Sequence, residues 1–257
     1  MDLGLSGAAV LITGGTDGLG LALAELLVSE GARVAVCGRD EGRAQSVEAQ
    51  LRERGGDVVG VSADVTNSED LERFVDVALE RFGQIDGVVN NAGRSSAGSI
   101  EASGDAAWQD DFELKVLAAV RLIRLSLPHL RASERASVVN VLNVGAKAPT
   151  ANSLPTSASR AAGLAITKSL SKELAADRIR VNAVLIGLVE SGQWRRRAEE
   201  SGQPIGDVYR AMATGIPLGR VGRSDEFADL AAYLLSTRSS YVTGSAINLD
   251  GGASPVL

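Results

Sequence analysis

The run Thr13-Gly14-Gly15-Thr16-Asp17-Gly18-Leu19-Gly20 could hold a diphosphate with main-chain atoms alone. Gly14 permits a tight turn, Gly18 lets the backbone approach a pyrophosphate, and Gly20 allows a helix to pack close to a strand. A helix starting here turns its free N–H groups and the positive end of its dipole toward the phosphates. The context is the one such a turn requires: the apolar residues AAVLIT precede it and a helical pattern from about residue 18 to 30 follows. Without a ligand the same glycines would make a plain turn. Arg39 is the second group of interest, after Cys37 and Gly38 at the end of the next apolar run. An acidic residue there would hold the 2′-OH of an adenosine ribose, whereas an arginine can pair with a 2′-phosphate. NADP is therefore expected over NAD. Asp17 argues the other way, because it is expected close to that ribose, where a carboxylate repels the extra phosphate.

The elements that must position these groups show as an alternation. Short β-branched runs at 8–13, 33–37, 58–62, 87–90, 137–142, 179–185 and 246–249 alternate with helical patterns near 18–30, 43–54, 68–82, 106–130, 157–176 and 225–235. This predicts an α/β protein: a three-layer Rossmann fold with a seven-stranded parallel sheet and helices on both faces. Residues 1–257 are expected to form one dinucleotide-binding domain. Two segments read as non-regular, 143–155 and 190–220, and both follow strand C-termini, where open α/β sheets bind ligands. They are expected to wall a substrate pocket, with 190–220 as a mobile lid; the ordinary alternative is a surface insertion.

Bulk properties narrow the function. The chain has 257 residues, 45% hydrophobic and 23% charged, with aromatics at 4%, so Val, Leu, Ile and Ala must fill the core. A net charge of -6 without a long basic run speaks against nucleic acid and anionic membranes as partners. No secretory signal or apolar run of about 18 residues is visible. One cysteine, Cys37, and one histidine, His129, offer neither a disulfide nor a metal cluster. These features fit a cytoplasmic protein acting on a small-molecule substrate.

The glycine run, Asp64-Val65, Asn90-Asn91-Ala92-Gly93 and the C-terminal VTGSAINLDGG together resemble the short-chain dehydrogenase/reductase family over essentially the whole chain. The resemblance implies that Gly14, Thr16, Asp17, Gly18, Leu19, Gly20 and Arg39 face the dinucleotide. It also implies that Asp64 and Val65 contact the adenine, and that Asn91, Ala92 and Gly93 line the adenine ribose side. Residues 186–191, with Gly187, Val189 and Ser191, resemble the segment beside the nicotinamide amide. Ile186 stands where a proline is usual, and Ser191 replaces a threonine. The family is usually tetrameric or dimeric, which points to residues 106–130 and 225–250 as interfaces of a homo-oligomer.

The same resemblance exposes a substituted catalytic set. In the family a tyrosine is the general acid/base, a lysine four residues on lowers its pKa and holds the ribose, a serine orients the carbonyl, and an asparagine completes a proton relay. The matching positions here are Thr156, Arg160, Asn143 and Lys115. An aliphatic hydroxyl is far less acidic than a phenol, so Thr156 on its own is not expected to shuttle a proton at neutral pH. Arg160 could bind ribose hydroxyls but stays protonated, and Asn143 could donate its amide N–H to a carbonyl. Lys115 is the one new group that could titrate usefully, as acid, base or Schiff-base nucleophile. Its ordinary alternative is an ammonium that reaches solvent or pairs with Asp111, four positions earlier. Tyr209 is a possible substitute proton donor or a packing residue, and Arg195 to Arg197 read as a solvated helix face.

Three functions follow: an NADP-dependent oxidoreductase on a carbonyl or alcohol with a rebuilt proton relay, a non-redox lyase or cyclase using Lys115, or a non-catalytic cofactor-binding protein. The resemblance places the oxidoreductase first.

Overall fold

A computed structural model describes residues 2–257. Seven strands, β1 (Ala9–Thr13), β2 (Arg33–Gly38), β3 (Asp57–Ser62), β4 (Gly87–Asn90), β5 (Ser137–Asn143), β6 (Arg180–Ile186) and β7 (Ala246–Leu249), form one sheet in the order β3-β2-β1-β4-β5-β6-β7. Every neighbouring pair is parallel. The chain order reverses between β1 and β4, and the carboxyl edge at such a switch point is where this architecture binds ligands.

Alternation along β1 feeds both faces, since successive side chains point to opposite sides. Val10 and Ile12 join one core with Leu23, Leu27, Phe227 and Ala231. Ala9 and Leu11 join the other with Leu71, Phe74, Leu122 and Leu130. The helices supplying these residues are α1 (Gly18–Ser29), α2 (Glu41–Glu53), α3 (Ser68–Phe82), α4 (Asp105–Phe112), α5 (Ala118–Ala132), α6 (Thr156–Glu173), α7 (Gly192–Ser201), α8 (Ile205–Ala213) and α9 (Ser224–Leu235). α3 shows why the sequence pattern works: the Asn67 side chain accepts from the N–H groups of Glu69 and Asp70, and Gly83 closes the helix at φ 71°. No helix of the described residues is long and apolar enough to cross a membrane.

Two expectations are corrected. Residues 106–130, read as one helix, are broken by a π turn at Glu113–Leu117 between α4 and α5, and Lys115 sits at its centre. No glycine or proline marks it, so periodicity passes over it. Residues 190–220, read as non-regular, contain α7 and α8. The signals taken as loop punctuation are helix ends: Ser191 is the N-cap of α7, Gly202 its left-handed C-cap at φ 67°, and Pro204 the N-cap of α8.

Candidate functional site

The β1–α1 turn is built for close backbone approach. Gly14 and Gly18 take φ 63° and 54°, where other residues are strained. A Cβ on Gly20 would lie 2.3 Å from the Gly14 carbonyl oxygen, and one on Gly14 would lie 3.0 Å from Ala92 Cα. Gly38 makes room for the Thr16 hydroxyl, 2.4 Å from where its Cβ would stand. Leu19 is buried beneath the turn.

Asn91 has a different task from the one the resemblance implies. Its Nδ2 donates to the carbonyls of Thr13 and Gly14, both at 3.0 Å. Thr13 Oγ1 in turn accepts from the N–H groups of Asn91 and Ala92 at 3.0 and 3.1 Å. The amide N–H groups are therefore spent on holding the glycine turn.

The Asp17 carboxylate is paired rather than free. It is the N-cap of α1 but makes no side-chain cap bond, which leaves the first-turn N–H groups without a capping partner. Its carboxylate instead meets Arg196 Nη1 at 2.9 Å and Arg43 Nη1 at 3.9 Å. Two guanidinium groups offset its charge, so its repulsion of a 2′-phosphate is weakened. Arg39 is exposed and has no ion pair among the described residues. Free helix N–H groups, a glycine cradle and an available arginine together fit an adenine dinucleotide carrying a 2′-phosphate.

Further along the same edge, Asp64 Oδ1 accepts from the Thr66 N–H and hydroxyl at 3.0 and 2.7 Å, and Val65 is buried. Gly187 passes Asp250 so closely that a Cβ would sit 2.7 Å from the Asp250 Cβ. Val189 is buried, and Ser191 makes no side-chain cap bond to α7.

The four residues that the resemblance matches to the family's catalytic set divide into one cluster and one outlier. Lys115 and Asp111 form an ion pair whose side chains have 0% exposure. Lys115 Nζ also donates to Thr156 Oγ1 at 3.0 Å, which joins the π turn to the first residue of α6. Thr156 Oγ1 accepts a second bond, from the Ser96 N–H at 2.9 Å. Ser159 Oγ donates to Asp111 Oδ2 at 2.6 Å. Arg160 Nη1 donates to the Val141 carbonyl at 2.7 Å, Nη2 lies against Gly93, and Nε has no partner. Lys115, Arg160, Asn90 and Asn140 line a small internal cavity of about 20 Å³. Asn143, at the end of β5, is the outlier: its Oδ1 is buried without a hydrogen-bond partner.

Burial pushes the Lys115 ammonium down from 10.5 to about 8. The Arg160 guanidinium adds to the push, Asp111 resists it through hydrogen bond and charge, and Arg94 adds a smaller push. Burial also lowers Arg160 to about 10, which still leaves it charged at neutral pH.

This geometry alters the expectation for Thr156. Alone its hydroxyl is too weak an acid, but its two lone pairs are taken by N–H donors, so its own proton is free to point elsewhere. A hydroxyl held this way can pass a proton on while receiving one from Lys115. Asp111 was legible only as an ordinary helical partner of Lys115. Ser159 could have been found three residues after Thr156, whereas the Ser96 N–H carries no side-chain signal.

The remaining groups lie outside the cluster. Tyr209, in α8, has a phenol raised by partial burial and by Glu190, which disfavours proton loss. His129 lies in the last turn of α5. Burial pushes the Cys37 thiol up to about 12, leaving it inert. The arginine run is more than a solvated face: Arg196 reaches Asp17 and Arg197 lies 5.0 Å from the Trp194 ring centroid.

A doubly wound parallel sheet with a glycine cradle at its switch point defines a dinucleotide-binding protein of the Rossmann class. Residues 14–254 match the family model for enoyl-(acyl carrier protein) reductase, and the chain belongs to the short-chain dehydrogenase/reductase family. It is 32% identical over 253 residues to the 3-oxoacyl-(acyl-carrier-protein) reductase of Chlamydia pneumoniae, covering 98% of this chain and 99% of that protein. The NADPH-bound short chain oxidoreductase of Pseudomonas aeruginosa, which contains an atypical catalytic center, superposes with a TM-score of 0.93 at 36% identity over 99% of both chains. L-sorbose reductase of Gluconobacter frateurii, complexed with NADPH and L-sorbose, superposes with a TM-score of 0.94 at 32% identity over 100% of both.

Proposed function

We propose that this chain is an NADPH-dependent carbonyl reductase in which a Lys115–Thr156 relay replaces the family's tyrosine. One observation carries the reading: Lys115 Nζ lies 3.0 Å from a Thr156 hydroxyl whose other acceptor site is filled by the Ser96 N–H. Bound NADPH supplies the hydride. The α1 N-terminus, Gly14 and Gly18 would hold its pyrophosphate side, Ala92 and Gly93 its adenine ribose side, Arg39 its 2′-phosphate, and Gly187, Val189, Ser191 and Arg160 Nη2 its nicotinamide half. As the substrate carbonyl becomes an alkoxide, Thr156 Oγ gives up its proton to that oxygen. At the same moment Oγ takes one from Lys115 Nζ, so threonine never carries a full negative charge. Asn143 would orient the carbonyl through its amide N–H. Asp111 and Ser159 hold Lys115 in place, and the amine is recharged from solvent when the product leaves.

The test is NADPH consumption with a panel of ketones. Thr156→Val and Lys115→Met are expected to lose about a hundredfold or more in kcat, the usual worth of a positioned proton donor, while Thr156→Ser keeps substantial activity. Full activity in Thr156→Val refutes the relay. A Schiff-base role for Lys115 is less well supported: its side chain is wholly buried and engaged by Asp111 and Thr156, an arrangement suited to handing over a proton. α7 and α8 act in this reading as the substrate lid, with α7 anchored on Asp17. The chain is further read as a cytoplasmic dimer or tetramer built through residues 106–130 and 225–250. The exposed Tyr233 and Tyr241 support the second surface, and light scattering tests it.

A further inference from the structure

Arg94 belongs to the stretch of loop that touches both the relay and α7. Gly93 before it passes over Arg160, where a Cβ would sit 2.7 Å from Nη2. Behind it, Ser95 donates its N–H to Gln193 Oε1 on α7 at 3.2 Å, and Ser96 donates to Thr156 Oγ1 at 2.9 Å. The backbone at 94 is thereby held between Thr156 and α7. The Arg94 side chain is exposed and, among the described residues, makes no hydrogen bond or ion pair. The charged groups acting on Lys115 are Arg160, Asp111 and Arg94. Arg160 and Arg94 thus both act on Lys115 against one carboxylate, whose two oxygens Lys115 and Ser159 already occupy. A chain of net charge -6 keeps uncompensated positive charge at this place. Building on the reductase reading, we propose that Arg94 selects carbonyl substrates carrying an anionic group, carboxylate or phosphate, close to the reacting carbonyl.

Calorimetry on the NADPH complex tests this with three non-reducible probes: oxamate, 2-phosphoglycolate and the uncharged oxamide. At least one anion is expected to bind about tenfold or more tighter than oxamide, and which anion does so distinguishes carboxylate from phosphate. Arg94→Gln should erase about tenfold or more of that affinity, the worth of one charge-assisted hydrogen bond, and leave the NADPH Kd unchanged; Arg94→Lys should restore part of it. Anions binding no tighter than oxamide would overturn the proposal. So would a loss of NADPH affinity in Arg94→Gln as large as the loss for the anion, since that assigns Arg94 to the cofactor. Probe binding needs no turnover. Neutral ketones reduced by an anion-blind protein would sink this inference alone, whereas anion binding without any reduction would sink the reductase reading alone.

Discussion

The pH dependence of reduction should report Lys115 directly. With its ammonium pushed down from 10.5 to about 8, roughly nine-tenths of the protein carries the donor proton near pH 7 and roughly one-tenth near pH 9. An unperturbed amine would remain more than roughly nine-tenths charged at both. The charged form is the acid, so kcat for carbonyl reduction should fall about tenfold between those values along a limb of one ionisation. Alcohol oxidation with NADP⁺ needs the neutral amine and should rise over the same range. The assay is steady-state NADPH absorbance at saturating ketone and cofactor. Two variants check the cause. Asp111→Asn removes the anion that supports the charge and should move the limb to lower pH. Arg160→Met removes the cation that opposes it and should move the limb to higher pH. A reduction rate that stays flat through about pH 9, or a Lys115→Met protein that keeps the same limb, refutes the assignment of Lys115 as the acid.

Three further outcomes test the dinucleotide site. Arg39→Ala should weaken NADPH about tenfold to a hundredfold in a fluorescence titration and leave NADH nearly unchanged, because only the 2′-phosphate loses a charge-assisted bond. Asn91→Leu strands the carbonyls of Thr13 and Gly14; it should cost about 1–3 kcal/mol in a urea melt and weaken both cofactors alike. Gly20→Ala forces a methyl against the Gly14 carbonyl, 2.3 Å away, and should abolish dinucleotide binding measured by calorimetry.

The parts that were legible in the sequence are those governed by local rules. Short apolar runs between helical patterns mark the strands, so β4 and β7 fall where the pattern puts them. α3 begins at an Asn cap and ends at a left-handed glycine, and both signals are read residue by residue. The glycine cradle was legible because each glycine answers a steric demand made within a few residues. What escaped depends on partners far apart in the chain. Asp17 was read from its neighbours alone, and its actual partner Arg196 is 179 positions away. Asn91 was assigned to a ligand, but its amide turns back to Thr13 and Gly14, which the chain brings close only when β4 pairs with β1. Lys115 and Thr156, 41 positions apart, were each identifiable as departures from a family pattern. Their meeting depends on a π turn that no residue type announces.

The relay also has a direction, which follows from what each group can donate or accept. Asp111 as a carboxylate only accepts, and it accepts from Lys115 and Ser159. An ammonium only donates, and of the three N–H bonds of Lys115 one goes to Asp111 and one to Thr156. Thr156 Oγ, with both acceptor sites filled by Lys115 and Ser96, can only donate outward. In the proposed relay, while Lys115 is charged, the protons between Lys115 and Thr156 therefore run outward toward a substrate oxygen, and an incoming alcohol would find no acceptor on Thr156. Reversal requires loss of one proton from Lys115. The family's tyrosine combines acid and hydrogen-bond donor in one phenol, whereas the proposed relay would put acidity in a buried amine and delivery in a hydroxyl too weak to ionise. Such a division would polarise the site for reduction below about pH 8, the range in which Lys115 holds its proton.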